Sequence, residues 1–243
     1  MSEIKSTIIL LIDYDNLSPQ QKETGILDLA VGILFRIPFE SNVRSADCHI
    51  RIYGGWFEED RITNLAEQII RKIGKDFPCV KYIDPHEGRI AIKFQAELAL
   101  GLLQEPNRFL SHTYRSNKRL TNVRIEKPDQ VGCFDPDCIL KDLKKLIKKG
   151  RCPKKTCQIT GNLIYRSEQK IVDALISCDL VYAADKLADL VILVSGDDDF
   201  VPPLRTAALN EKTVIRFNTT PNNRRDTSHY FNDLPNFIIE KDL

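Results

Sequence analysis

The chain lacks several features that would each have named a class of protein. No apolar run approaches the roughly 18 residues needed to cross a bilayer. The early run "TIILLID" at 7–13 is too short for a secretory h-region and is followed at once by acids. A cytoplasmic protein with no membrane segment is therefore expected. Neither sign of charge is in excess: 35 Lys and Arg stand against 34 Asp and Glu, for a net charge of +1. Overall charge thus selects no partner. Seven cysteines, an odd number, do not suit a disulfide framework, and without an export signal they point to reduced thiols or a metal site. Internal repeats and low-complexity tracts are absent. What is left is a globular composition, 42% hydrophobic and 28% charged over 243 residues, enough for one large domain or a domain carrying an insertion.

The apolar runs alternate in type. "TIILLID" (7–13) reads as a buried parallel strand, "ILDLAVGILFRI" (26–37) as a helix, and "DCHIRIYGGW" (47–56) as a strand ending in a glycine turn. Next come a helix over 58–74 closed by Gly74, a strand at 79–84, and a helix expected over 91–103. Beyond residue 160, Ser167 is placed as the cap of a further helix. "LADLVILVSGD" then gives a strand, "PPLRTAALNEK" a proline-led helix, and "TVIRF" and "FIIE" two last strands. Strands alternating with helices predict a three-layer α/β/α domain around a mainly parallel sheet. The alternation breaks at 108–157. Residues 108–155 alone hold fourteen Lys or Arg against five Asp or Glu, a local charge of +9. The expected organisation is one domain from 1–107 and 158–243, interrupted by a basic insertion at 108–157.

Two strands end in acids. "LLIDYDN" supplies Asp13, Asp15 and Asn16, and "LVSGDDDF" supplies Asp197, Asp198 and Asp199. Taken singly, each cluster reads as a turn or a helix cap. Together they favour a site, because open α/β sheets bind ligands outside the carboxyl ends of their strands. Clustered carboxylates repel unless a cation receives them, and hard oxygen donors suit Mg²⁺ or Mn²⁺. Such ions assist phosphoryl chemistry. A third acid, Asp173, sits inside an apolar helical stretch, next to Val172 and three residues before Ile176. That spacing places it at the border of the buried stripe rather than on the outer face.

These three elements resemble the NYN domain, a branch of the PIN-like metal-dependent ribonucleases. The family pattern of a strand ending D-x-x-N, a helix with a K-x-V-D-like motif and a strand ending SGDxDF appears in order. It is carried by Asp13-Tyr14-Asp15-Asn16, Lys170-Ile171-Val172-Asp173 and Ser195-Gly196-Asp197-Asp198-Asp199-Phe200. "RIYGGW" is similar to the family's second strand with its aromatic-glycine turn. "TVIRF" with "SHYFNDLPNFIIE" is similar to the closing strands. The likeness covers roughly 5–100 and 160–240. Ile171 stands where the family usually has glycine, and Leu234-Pro235 where it often has Ala-Asp. The resemblance implies a PIN-like fold with Asp13, Asp173, Asp197 and Asp199 as an acidic Mg²⁺ or Mn²⁺ site. Asn16 would support the site or contact the scissile phosphate, while Asp15 and Asp198 fall at variable positions. It further implies phosphodiester hydrolysis by a metal-activated water, leaving a 5′-phosphate and a 3′-hydroxyl, with RNA the expected substrate ahead of DNA.

Within the insertion, Cys133, Cys138, Cys152 and Cys157 form two C-x4-C pairs thirteen residues apart. Four thiolates suit tetrahedral Zn²⁺, although the spacing is at the wide edge of the usual range, so a structural zinc and four reduced thiols both remain open. Between the pairs, "ILKDLKKLIKK" puts Ile139, Leu143, Leu146 and Ile147 on one helical face and lysines on the rest. Lys144, Lys145, Lys148, Lys149, Arg151, Lys154 and Lys155 form a basic surface suited to a nucleic-acid backbone. Few aromatics lie nearby, so no readout of base sequence is expected. Oligomeric state stays open, a homodimer included.

Two rivals remain. A haloacid-dehalogenase-type phosphatase would use Asp13 as nucleophile and Asp15 as general acid. However, Leu17 replaces its expected Thr or Val, and Asp173 has no task in that scheme. A catalytically silent PIN-like protein that binds RNA is the other.

Overall fold

The computed structural model describes residues 4–40, 42–84, 89–117, 126–149, 152, 154, 156–157, 166–169, 171–219, 228–234 and 238–243. The chain forms two compact units, Met1–Thr113 with Lys170–Leu243, and Tyr114–Gln169. These limits follow chain contacts, whereas 108–157 followed charge.

The first unit opens with β1 (Ile4–Asp13), α1 (Pro19–Thr24), α2 (Ile26–Phe35) and β2 (Val43–Tyr53). A short antiparallel pair, β3 (Phe57–Glu58) and β4 (Arg61–Ile62), leads to α3 (Asn64–Asp76), β5 (Cys79–Ile83) and β6 (Ile90–Leu98). The second unit contains β7 (Tyr114–Asn117) paired antiparallel with β8 (Arg166–Gln169), and the helix α4 (Ile139–Lys149). The first unit resumes with α5 (Val172–Tyr182), β9 (Leu190–Val194), α6 (Val201–Leu209), β10 (Val214–Asn218) and β11 (Ile238–Asp242).

Seven strands build one sheet in the order β11-β10-β9-β1-β2-β6-β5. Every neighbouring pair is parallel except β5 with β6. β1 lies at the centre, which explains its unbroken apolar run: Ile8, Leu10 and Ile12 pack into one core and Ile9 and Leu11 into the other. Leu29, Ile33 and Leu34 of α2, with Ala66 and Ile69 of α3, close the first face. Leu175, Ile176 and Leu180 of α5, with Leu204 and Ala207 of α6, close the second. The architecture is thus α/β with a mostly parallel central sheet and helices on both faces. Among the described residues no helix is long and apolar enough to cross a membrane.

Three expectations are corrected. The helix expected over 58–74 starts only at Asn64, after the strands β3 and β4, where Thr63 Oγ1 caps it by accepting the Ala66 N–H, and it runs past Gly74 to Asp76. Residues 91–103 begin as strand β6, not helix. Ile90, Ile92, Phe94 and Leu98 are buried and Ala96 half-buried on one face, with Lys93 and Glu97 exposed on the other, and that period of two belongs to a strand. The Ala- and Leu-rich composition misled where the alternation was informative. Ser167 lies in strand β8, and the helix that follows begins at Val172, with Ile171 in the capping position.

Candidate active site

The carboxyl ends of β1 and β9, adjacent in the sheet, bring the two acidic clusters to one edge. Asp13 is the last residue of β1 and is only 2% exposed. Asn16 Nδ2 donates to its Oδ2 at 2.5 Å, and Ser195 Oγ donates to the same oxygen at 2.9 Å. Among the described residues nothing donates a hydrogen bond to Oδ1. The turn after β1 is held by a capping box, with Gln21 N–H donating to Ser18 Oγ and Ser18 N–H to Gln21 Oε1. Pro19 then starts α1, which fixes where the D-x-x-N segment stops.

On the β9 side, Ser195 Oγ also accepts from the Asp197 N–H at 3.1 Å. One hydroxyl thereby connects the two acidic turns. Asp197 Oδ1 accepts from the Asp199 N–H at 3.0 Å and caps the short 3₁₀ turn Asp198–Phe200 that feeds α6. The structural use of Asp197 as a cap and its expected use as a ligand therefore occupy different parts of one side chain. Asp199 is exposed, and Asp173 projects from the first turn of α5.

Charge repulsion reaches from one acidic turn to the other through Asp173. Burial pushes the Asp13 carboxyl up to about 6, against the hydrogen bonds from Asn16 and Ser195, and the charges of Asp173 and Asp15 raise it further. Asp173 is exposed by area, yet the protein around its carboxyl still opposes ionisation, and Asp197 and Asp199 add their repulsion. This is the electrostatic signature of oxygen donors drawn to one place. Among the described residues, however, no three His, Cys, Asp or Glu side chains stand in finished metal-binding geometry. The donor chemistry is that suited to a hard divalent cation, while the described carboxylates do not stand together as a group able to hold one.

Two buried cations that the sequence reading passed over organise this edge. Arg216 of β10 is 1% exposed. Its Nε donates to the Ser195 carbonyl at 3.3 Å, its Nη2 to the Asp197 carbonyl at 2.9 Å and its Nη1 to Glu240 Oε1 at 3.3 Å. Asp198 Oδ1 lies 3.6 Å from Nη2, so the middle aspartate of the trio faces Arg216. Arg51 of β2 donates to Asp179 Oδ2 at 3.0 Å and also to Glu97 and the Gly101 carbonyl. Tyr53 Oη donates to Asp179 Oδ2 and the Leu103 N–H to Oδ1, each at 2.8 Å. Asp179 belongs to α5, so this network fixes the helix that carries Asp173 against β2. A charge interrupting an apolar strand, as in "TVIRF" and "IRIY", was the available signal.

Gly54 explains the aromatic-glycine turn. A Cβ there would stand 2.8 Å from Trp56 and 2.9 Å from Asp15 Oδ2. Ile171 adopts φ 62°, a left-handed conformation that a β-branched residue holds only under strain, and this is where the family resemblance has glycine. A cavity of about 450 Å³ lies elsewhere in the first unit, lined by Thr7, His49, Arg51 and Gln95 among others, with none of the candidate acids.

In the second unit, Lys144, Lys145 and Lys148 lie on α4 and Lys149 ends it; Lys145 is 3.6 Å from Asp142. Lys154 is exposed, and Arg151 and Lys155 fall outside the described residues. Ile139, at 76% exposed, and Phe134, at 83%, stand out in solvent. Cys133 and Cys138 are side by side. A hydrogen bond from the Cys138 thiol, then one from the Asp135 N–H, holds the Cys133 thiol below its usual range, and the same contact raises Cys138. Cys152 and Cys157 are half-buried free thiols, and the four cysteines do not form a single metal-ready group. Comparison with protein-family models, curated proteins and solved structures finds no match in any of the three.

Proposed function

We propose that the first unit is a PIN-like nuclease domain of the NYN type that hydrolyses phosphodiesters, RNA ahead of DNA, with Mg²⁺ or Mn²⁺. The observation that carries this is that Asp13 and the turn of Asp197 and Asp199 follow the carboxyl ends of adjacent parallel strands, with Asp173 of α5 repelling Asp13 and repelled by Asp197 and Asp199. Asp13 would hold the ion with Asp173, Asp197 and Asp199. When bound, the ion supplies Lewis-acid stabilisation of charge on the phosphoryl group and makes a water easier to deprotonate. The chain's own part is positional. Asn16 and Ser195 fix one oxygen of Asp13 and leave the other for the ion. The exposed Asp173 and Asp199 stand where a phosphodiester can approach from solvent. Water adds to phosphorus as the bond to the 3′-oxygen breaks, and the proton lost by water balances the one gained by the leaving oxygen.

The basic surface carrying Lys144, Lys145, Lys148, Lys149, Arg151, Lys154 and Lys155 is proposed to hold the strand by its phosphates. A structural zinc on Cys133, Cys138, Cys152 and Cys157 is proposed as well, supported by the adjacency of the first pair. Metal content well below one zinc per chain, in protein purified without chelator, would end that proposal.

The deciding experiment incubates the protein with RNA and single-stranded DNA. Cleavage is expected with Mn²⁺ or Mg²⁺, none with EDTA, and none in Asp173→Asn. A phosphatase would tolerate Asp173→Asn and fail in Asp15→Asn. Tight RNA binding without cleavage under either ion would leave the silent binding protein.

A further inference from the structure

Three consecutive aspartates need a counter-charge even before any ligand arrives, and one is built into the fold. Arg216 is an unusual occupant of a buried strand, since a guanidinium removed from water is unfavourable unless every donor is matched. Here it is matched almost entirely by the acidic turn and its neighbour. Two main-chain carbonyls, of Ser195 and Asp197, accept from it, and Glu240, its register partner on β11, takes a third donor. Asp198 completes the arrangement at 3.6 Å.

We infer that Arg216 is a positioning residue for the metal site, fixing the backbone from which Asp197 and Asp199 project and reserving Asp198 as its own ion partner. The inference rests on the metal reading above. A planar fork that grips two carbonyls two residues apart sets the path of the turn; a point charge cannot do so. The trio is thereby divided. Asp197 and Asp199 are left to the cation, while Asp198 faces the arginine, whose charge Glu240 already meets at 3.3 Å.

The test is Mn²⁺ affinity, measured by electron paramagnetic resonance without substrate. Folding of each variant is checked by circular dichroism. Arg216→Lys keeps the charge and loses the fork, and is expected to weaken Mn²⁺ binding by about tenfold or more, as supporting partners of ligands typically do. Asp198→Asn is expected to stay within about twofold of the parent, while Asp199→Asn falls at least about tenfold. Arg216→Lys binding Mn²⁺ as the parent does overturns the inference. So does Asp198→Asn losing as much affinity as Asp199→Asn, a comparison that decides the matter even when Arg216 variants do not fold. A parent that binds no Mn²⁺ overturns the metal reading itself, and this inference with it.

Discussion

Asp13 and Ser195, 182 positions apart in the chain, meet through a 2.9 Å hydrogen bond from the serine hydroxyl to the aspartate Oδ2. The same hydroxyl accepts from the Asp197 N–H. It therefore touches both acidic turns at once. Hydrogen bonds to charged groups in buried settings contribute more than neutral ones, in the range of about 1.5–3 kcal/mol. Ser195→Ala is expected to lower unfolding free energy by about 2 kcal/mol, read from urea denaturation, and to reduce metal-dependent cleavage.

Asp13 gives the metal-free protein a pH dependence of definite sign. Its carboxyl is raised from the ordinary 3.8 to about 6, so below 3.8 both folded and unfolded chains hold the proton. Between those values the folded chain keeps the proton and the unfolded chain has lost it, so stability falls as pH rises and the loss is complete above about 6. At 1.36 kcal/mol per unit the ceiling is about 3 kcal/mol. Urea midpoints in EDTA at pH 4 and pH 7 should differ in the parent by more than in Asp13→Asn. Equal pH slopes would show that Asp13 is not the group.

Ile171→Gly should stabilise the protein. A left-handed conformation costs a residue with a Cβ roughly 1–2 kcal/mol, and glycine adopts it freely. A gain of about 1 kcal/mol is expected after glycine's larger unfolded-state entropy is subtracted. A lower melting temperature in the variant would mean that the Ile171 side chain contributes packing that outweighs the strain.

Removing Asp179 leaves Arg51 buried with its neighbours Glu97 and the Gly101 carbonyl but without its 3.0 Å partner. Breaking a buried pair from one side is among the costlier single changes, about 3–5 kcal/mol. Asp179→Ala is expected to lose that much. If it unfolds no more easily than the parent, the network is not what fixes α5.

Much of this edge could be read from the chain because two kinds of signal are local. An apolar run that stops at an acid shows both a buried strand and its end, so β1, β9 and the acids Asp13, Asp197 and Asp199 were legible. Strand β6 was not, because Ala96, Leu98 and Leu100 suit either helix or strand, and only strict alternation with Lys93, Gln95 and Glu97 separates the two. Arg216 and Asp179 were illegible in role for a different reason. Their partners lie on other elements, and a sequence records a buried charge without recording what neutralises it. The turn at Ile171 hid because positive φ leaves no mark on a residue type that rarely adopts it.

The sheet order has a consequence for synthesis. β1 is made first yet needs β9, which begins at Leu190, on its other side. As the chain emerges from the ribosome, β1 and β2 can pair early, but one edge of β1 stays unsatisfied until the second unit and α5 have been made. The central strand, with its apolar run Ile8–Ile12, therefore spends much of translation with an open edge. A product halted before Leu190 would carry that edge without its native partner, and an open apolar strand edge is a template for aggregation.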